Sequence, residues 1–176
     1  LNFEHTVFLT EPYIENLLSK NKFRLIKKIY FKEDHSIFYF YMKNSHEQVI
    51  NLPSSLYDYN KRLFFDYIYF YYQQIKVINS NIAKSGERGS IYLFGAHIFS
   101  QYLIAFGLDI DKIICILDND VNKQGKRLYG TNVNVNSPKI LKNVDSPIII
   151  LKAGAYNQEI KLDILNNINP NTIFWQ

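Results

Sequence analysis

The chain has 176 residues, 47% of them hydrophobic, with 20 Lys and Arg against 16 Asp and Glu for a net charge of +4. That size and apolar content suit one ordinary core or two small ones, because domains commonly run to ~100–150 residues. The charge excess is too mild to argue for nucleic acid as a partner, the single Cys115 excludes an internal disulfide and a multi-cysteine zinc site, and no apolar run approaches the ~18–20 residues of a membrane span. A soluble, cytoplasmic protein with no membrane contact is the expectation. The chain starts at Leu1 rather than Met, and Phe3 to Phe8 already carry a structured pattern, so it reads as a piece of a longer protein.

Thr10-Glu11-Pro12 opens a helix, with Thr10 as N-cap and Tyr13, Ile14, Leu17 and Leu18 at helical spacing up to Asn21. Phe23 to Phe31 then reads as a strand and Ser36 to Met42 as its antiparallel partner, across the turn Lys32-Glu33-Asp34-His35. The basic run Lys20, Lys22, Arg24, Lys27, Lys28 and Lys32 alternates with Phe23, Leu25, Ile26 and Ile29, which favours a wet strand face blunted by lysines over a phosphate groove. Residues 44–55 are polar, and Pro53-Ser54-Ser55 leads into the next helix. From Leu56 to Ile82 the stripe Phe64, Ile68, Tyr71, Ile75, Ile78 and Ile82 predicts one helix, about 40 Å long at ~1.5 Å per residue, able to connect and brace two domains. Its aromatic residues read as core ahead of a base-stacking surface; burial against a second subunit, in a homodimer, is a further use.

Residues 84–90 form a loop by composition, and after it strands and helices alternate. Strands are predicted at Ile91–Phe94, Ile113–Leu117, Pro147–Leu151 and Thr172–Trp175, and helices at Ala96–Phe106, near Pro138–Leu141 and at Tyr156–Ile168. Continuous apolar strands between helices imply a parallel sheet covered on both faces. The expected fold class is therefore α/β: a Rossmann-like domain over 91–176, preceded by a helix and antiparallel strand pair in 1–45 and by a linker and long aromatic helix in 46–90.

In such a sheet a ligand lies at the carboxyl ends of the strands, beside the first strand-to-helix turn. Here that turn is Phe94-Gly95-Ala96-His97, where Gly95 would allow close backbone approach and the helix behind it would offer unpaired N–H groups to an anion. The dinucleotide fingerprint needs three glycines and Gly95 is the one present, which argues against tight NAD binding. The second strand ends in Asp118-Asn119-Asp120, close to the ~20-residue interval at which an acidic residue meets a ribose hydroxyl. Either a nucleotide contact or simple capping of the loop to Gly125 accounts for Asp118 and Asn119. Glu4-His5 is a second constellation, since a carboxylate beside a histidine suits a general base if the backbone there is irregular. His35, His46 and His97 lack metal-ligand spacing and have no cysteine partner, so no metal site is expected.

The order Phe3-Glu4-His5-Thr6-Val7-Phe8-Leu9-Thr10, a helix, then strands ending in Tyr39-Phe40-Tyr41-Met42-Lys43 resembles the tail of a class I S-adenosylmethionine methyltransferase domain. The later stretches Tyr92-Leu93-Phe94-Gly95-Ala96, Leu117-Asp118-Asn119-Asp120-Val121-Asn122-Lys123-Gln124-Gly125-Lys126, Gly130 and Ser137-Pro138 are similar to the C-terminal domain of nucleotide-sugar C-methyltransferases. The resemblance implies S-adenosylmethionine as methyl donor and a sugar or nucleotide sugar as substrate. It also implies His5 as the base that deprotonates the sugar carbon, with Glu4 its neighbour, and substrate contacts from Gly95, Ala96, His97, Asp118, Asn119, Lys123, Tyr156 and Asn157. Two departures stand out: Phe99-Ser100 replaces a Lys-Gly pair, and Gly154-Ala155 stands where the family carries Trp-Asn. The glycine-rich donor loop is absent from these residues, so the chain by itself is not expected to transfer a methyl group. The alternative is a Rossmann-like module that binds a nucleotide sugar or braces its neighbour; similar turns and Asp-Asn-Asp loops also open sugar acyltransferases.

Overall fold

The computed structural model describes residues 9–32, 36–46, 49–85 and 89–176. It divides into two compact units, Leu1–Phe65 and Asp66–Gln176, and the boundary falls inside one long helix. Among the described residues no helix is long and apolar enough to cross a membrane.

The first unit begins with helix α1, Glu11–Lys20, whose first free N–H groups, those of Tyr13 and Ile14, donate to the Thr10 carbonyl rather than to its side chain. Strands β1 (Phe23–Phe31) and β2 (Ser36–Lys43) pair antiparallel. The register steps from Leu25 opposite Tyr41 to Lys27 opposite Phe40, which leaves Ile26 as a bulged, exposed residue. A bulge reverses the in-and-out alternation beyond it. Lys28, which an unbroken alternation would place in solvent, therefore turns toward α1, where its Nζ donates to Glu11 at 2.5 Å and Glu15 at 3.3 Å. Hydrogen bonding from Lys28 holds the Glu11 carboxyl below its usual range, and the same contact raises the lysine. Ile29, Phe38, Phe40 and Met42 consequently lie exposed on the opposite face of the pair. Two buried polar residues of α1 fasten the chain that follows: Asn16 Nδ2 donates to the Ile50 carbonyl at 2.6 Å, and Ser19 Oγ accepts from Ile50 N at 2.9 Å.

Helix α2 runs Leu56–Ser85. The second unit contains its C-terminal part, where Ile75, Ile78 and Ile82 form a buried stripe at helical spacing. Phe64, on the same predicted stripe, is 45% exposed, as are Tyr57, Phe65, Tyr69 and Phe70 to a similar or greater degree. The sheet order is β5-β4-β3-β6-β7, all parallel, from β3 (Ile91–Phe94), β4 (Ile113–Leu117), β5 (Val135–Asn136), β6 (Ile148–Leu151) and β7 (Ile173–Trp175). Alternate strand residues feed two cores. Ile91, Leu93, Ile148 and Ile150 pack with α2 and with helix α3, Ile98–Ala105; Tyr92, Phe94, Ile149 and Leu151 pack with Leu141 and with Ile164 of helix α4, Asn157–Asn167. This is the Rossmann-like α/β arrangement expected from the apolar runs, since both faces of the sheet are covered. Each fully buried Ile or Leu side chain contributes roughly 1.5–3 kcal/mol.

Two features differ from the expected elements. β5 is a two-residue strand inside a stretch that reads as polar loop, and the helix after it, Pro138–Asn143, is a 3-10 helix capped by Ser137 Oγ. A buried asparagine secures that helix: Asn169 Nδ2 donates to the carbonyls of Leu141 at 2.7 Å and Val144 at 2.8 Å, while its Oδ1 accepts from Asn171 N at 2.9 Å. Replacing Asn169 with Ala would remove the donor to the Val144 carbonyl and the acceptor of Asn171 N, and would leave the Leu141 carbonyl with Val144 N alone. Chemical denaturation should show a loss on the order of 3 kcal/mol; a change under 0.5 kcal/mol would mean that water takes over these bonds without cost.

Candidate functional site

The sheet order places β4 on one side of β3 and β6 on the other, so the loops leaving β3 and β6 diverge at their carboxyl ends. This is the switch point where ligands lie in doubly wound folds. Gly95 follows β3 with φ +101, a conformation that glycine adopts without strain. The space usually left above such a glycine is filled here. A Cβ built at position 95 would collide with Nε2 of His97, whose imidazole lies across the turn.

The turn is also closed by hydrogen bonds. Gly95 N donates to the Leu117 carbonyl at 2.7 Å, and Ala96 N donates to Asp118 Oδ2 at 2.7 Å. His97 acts as N-cap of α3, its Nδ1 accepting from Phe99 N at 3.2 Å, and Ser100 Oγ donates to the Gly95 carbonyl. Helix α3 therefore begins two residues later than its apolar pattern suggests. The N–H groups expected to meet an anion are largely engaged within the protein. Burial, together with nearby Lys123, pulls the His97 imidazole below its ordinary value, while Asp118 opposes the shift.

Asp118, at the end of β4, is 8% exposed. Its Oδ2 accepts from Ala96 N and from Lys123 Nζ, the latter at 3.2 Å, and its Oδ1 accepts from Asp120 N at 2.9 Å. Burial by itself would raise this carboxyl, but the N–H groups of Asp120 and Ala96 and the Lys123 ammonium hold it below the ordinary value. The carboxylate thus joins the β3 turn to the β4 loop, as the loop-capping reading of Asp118 supposes. Gly95, Ala96, His97, Asp118 and Lys123 form one connected cluster.

Asn119 points to a different place. It lines a cleft of about 400 Å³ with Gln124, Ser137, Lys139, Asp163 and Asn167. Gln124 Nε2 donates to the Asp118 carbonyl at 2.9 Å, and Asn167 Nδ2 to Asp163 at 2.8 Å, whereas the Asn119 carboxamide has no partner among the described residues. At the end of β6, Asn157 Oδ1 accepts from Ala153 N at 2.7 Å and so braces its own loop; Tyr156, 40% exposed, closes the short 3-10 turn Gly154–Tyr156. Glu4 and His5 lie outside the described residues. Among the described residues no group of three or more His, Cys, Asp or Glu is placed to hold a metal ion.

Sequence reasoning passed over Lys152, at the carboxyl end of β6. Its Nζ donates at 2.6 Å to Gln74 Oε1 of α2, a neutral partner, and burial lowers its pKa. Lys126, Arg127 and Tyr129 were also missed as a group; with Ala96, Gln101 and Lys123 they line a groove of about 280 Å³. S-adenosylmethionine would need an open first turn with available donors. The Gly95 turn, with an imidazole over its glycine, does not fit that group. Comparison of the chain with protein-family models, with curated proteins and with solved structures finds no match.

Two measurements check this geometry. Asp118→Asn should lower stability by on the order of 2 kcal/mol near neutral pH, since hydrogen bonds to a charged acceptor are lost. Because the folded carboxyl titrates below its ordinary 3.8, its contribution is complete above that value and disappears as pH falls through the lower folded value. The stability gap between wild type and variant should therefore narrow in acid; a constant gap down to unfolding contradicts the assignment. Gly95→Ala should destabilise through both the positive φ and the collision with His97, so Gly95→Ala/His97→Ala should lose less than the two single changes added together. Strict additivity would remove His97 from the turn.

Proposed function

We propose that the chain is the substrate-recognition part of an S-adenosylmethionine-dependent methyltransferase acting on a sugar or nucleotide sugar, and that residues 91–176 hold the substrate. The observation that carries this reading is the cleft lined by Asn119, Gln124, Ser137, Asp163 and Asn167. Amides, a hydroxyl and a carboxylate around about 400 Å³ supply the mixed donors and acceptors that a hydroxyl-rich ligand needs, and the exposed Asn119 carboxamide, without a protein partner among the described residues, is open to such a bond. In this reading the closed Asp118 cluster supports the cleft instead of touching ribose. The base is assigned to His5, with Glu4 beside it, removing a proton from the sugar carbon next to a ketone. No described residue is assigned to the methyl donor.

Calorimetric titration of the chain with nucleotide sugars should give saturable binding, weakened about tenfold in Asn119→Ala, which removes one or two hydrogen bonds at an exposed position. In the methyl-transferring enzyme, His5→Ala should reduce transfer by ~10²–10⁴ while nucleotide-sugar binding stays intact. Undiminished transfer would sink His5 as the base, and absence of binding to the chain would sink the recognition role.

A further inference from the structure

The first turn of the parallel sheet, where a doubly wound fold usually seats phosphate, is engaged by its own protein, through the N–H groups of Gly95, Ala96 and Phe99 and the imidazole of His97. Immediately beside it lies the groove formed by Ala96, Gln101, Lys123, Lys126, Arg127 and Tyr129. Its positive charges sit on fixed backbone. Gly125 N donates to the Val135 carbonyl at 2.9 Å, Val135 N to that of Lys126 at 2.8 Å and Leu128 N to that of Val133 at 3.0 Å, so residues 125–128 form a ribbon zipped to β5 and the residues before it. Leu128, 4% exposed, anchors the ribbon in the core. Arg127 Nη1 donates to Asn132 Oδ1 at 3.0 Å, which orients the guanidinium, and Gln101 Nε2 donates to the Tyr129 carbonyl at 3.4 Å, which ties the ribbon's turn to α3.

The charge balance of this groove is uneven. Two carboxylates bond to residues that line it: Asp118 is shared among Lys123 and two backbone N–H groups, and Asp120 accepts from the backbone and side chain of Asn122. Lys126 and Arg127 have no carboxylate partner among the described residues. Lys123 at the inner end is paired with Asp118, so the adjacent Lys126 and Arg127 are the charges left for an anion to balance. A planar guanidinium matches two phosphate oxygens at once, and each ammonium serves as a point charge for a further one.

We propose that this groove is a diphosphate seat, with Lys126 and Arg127 holding the phosphoryl oxygens and Lys123 at the inner end, in place of the closed turn at Gly95. The inference rests on the reading of residues 91–176 as a nucleotide-sugar module and goes beyond it in naming the phosphate contacts. Tyr129, 74% exposed at the mouth of the groove, offers an aromatic face to the base of a nucleoside diphosphate.

The test is calorimetric titration of the chain with inorganic pyrophosphate and, separately, with uridine and thymidine diphosphate sugars. Lys126→Ala/Arg127→Ala is compared with Lys76→Ala/Lys112→Ala, which removes the same charge from exposed positions elsewhere; circular dichroism verifies that both are folded. The groove variant should bind pyrophosphate and nucleotide sugar at least tenfold more weakly, while the control stays within twofold of wild type. Equal weakening in both variants, or nucleotide-sugar binding unchanged in the groove variant, overturns the seat and leaves the recognition role standing. Pyrophosphate binding that is lost in the groove variant, with no binding of either nucleotide sugar, keeps the seat and overturns the nucleotide-sugar reading. No binding of any of the three ligands to wild type overturns both.

Discussion

The carboxylate of Asp118 is the constraint on which the carboxyl edge of the sheet depends. It stands at the end of β4 yet accepts the N–H of Ala96 at the start of the neighbouring loop, so two crossovers that leave the sheet in different directions share one anion. A buried carboxylate without donors would protonate or move toward water; three donors keep it ionised and in place. The consequences spread outward from it. With Ala96 held, His97 becomes the cap of α3 and its ring folds over Gly95. With the β4 loop held by Asp120, Lys123 and Gln124, the chain emerges at Gly125 in register to zip against Val135.

That single arrangement divides the edge into two concavities of unlike chemistry. On one side the ribbon brings Lys126 and Arg127 beside Lys123, and on the other Asn119 and Gln124 face Ser137 and the polar side of α4. A loop that were merely flexible would leave both sets of side chains to solvent, where ordering them on a ligand costs entropy. Here the backbone under them is already bonded, and the side chains alone remain to be ordered. The turn that a Rossmann-like fold usually offers to phosphate has instead become part of the scaffold.

The helix that underlies the sheet has an uneven character. Ile75, Ile78 and Ile82 close one core, and Asn79 joins α2 to the α3–β4 loop by donating to the Gly107 carbonyl at 2.8 Å and accepting from Asp109 N at 2.9 Å. Earlier in the same helix Phe64, which continues the apolar stripe, stays exposed, whereas Tyr71 is partly buried against that core. Helical periodicity reports that a residue shares a face with its neighbours; it does not report whether anything lies against that face.

Most of the secondary structure was legible in the residues, because the apolar runs at Ile91–Phe94, Ile113–Leu117 and Ile148–Leu151 admit few alternatives and helical spacing in α1, α2 and α4 is regular. Candidate residues were legible as types: a glycine after the first strand, an acid after the second, lysines in the loop. Their partners were not. Val135-Asn136 is a strand because Ile116 and Leu117 lie alongside it, and the bulge at Ile26 turned a lysine inward where alternation placed it outside. The sequence by itself determined the alternation of strands and helices and hence a sheet with two covered faces, since burial follows local apolar pattern. The tertiary structure alone decided that His97 closes the Gly95 turn, that Asp118 is spent on the scaffold, and that Lys126 and Arg127 join Lys123. Those outcomes turn on the Ala96 N–H meeting Asp118 across 22 residues and on residues 125–128 pairing with the stretch before and into β5, and no local pattern encodes such meetings.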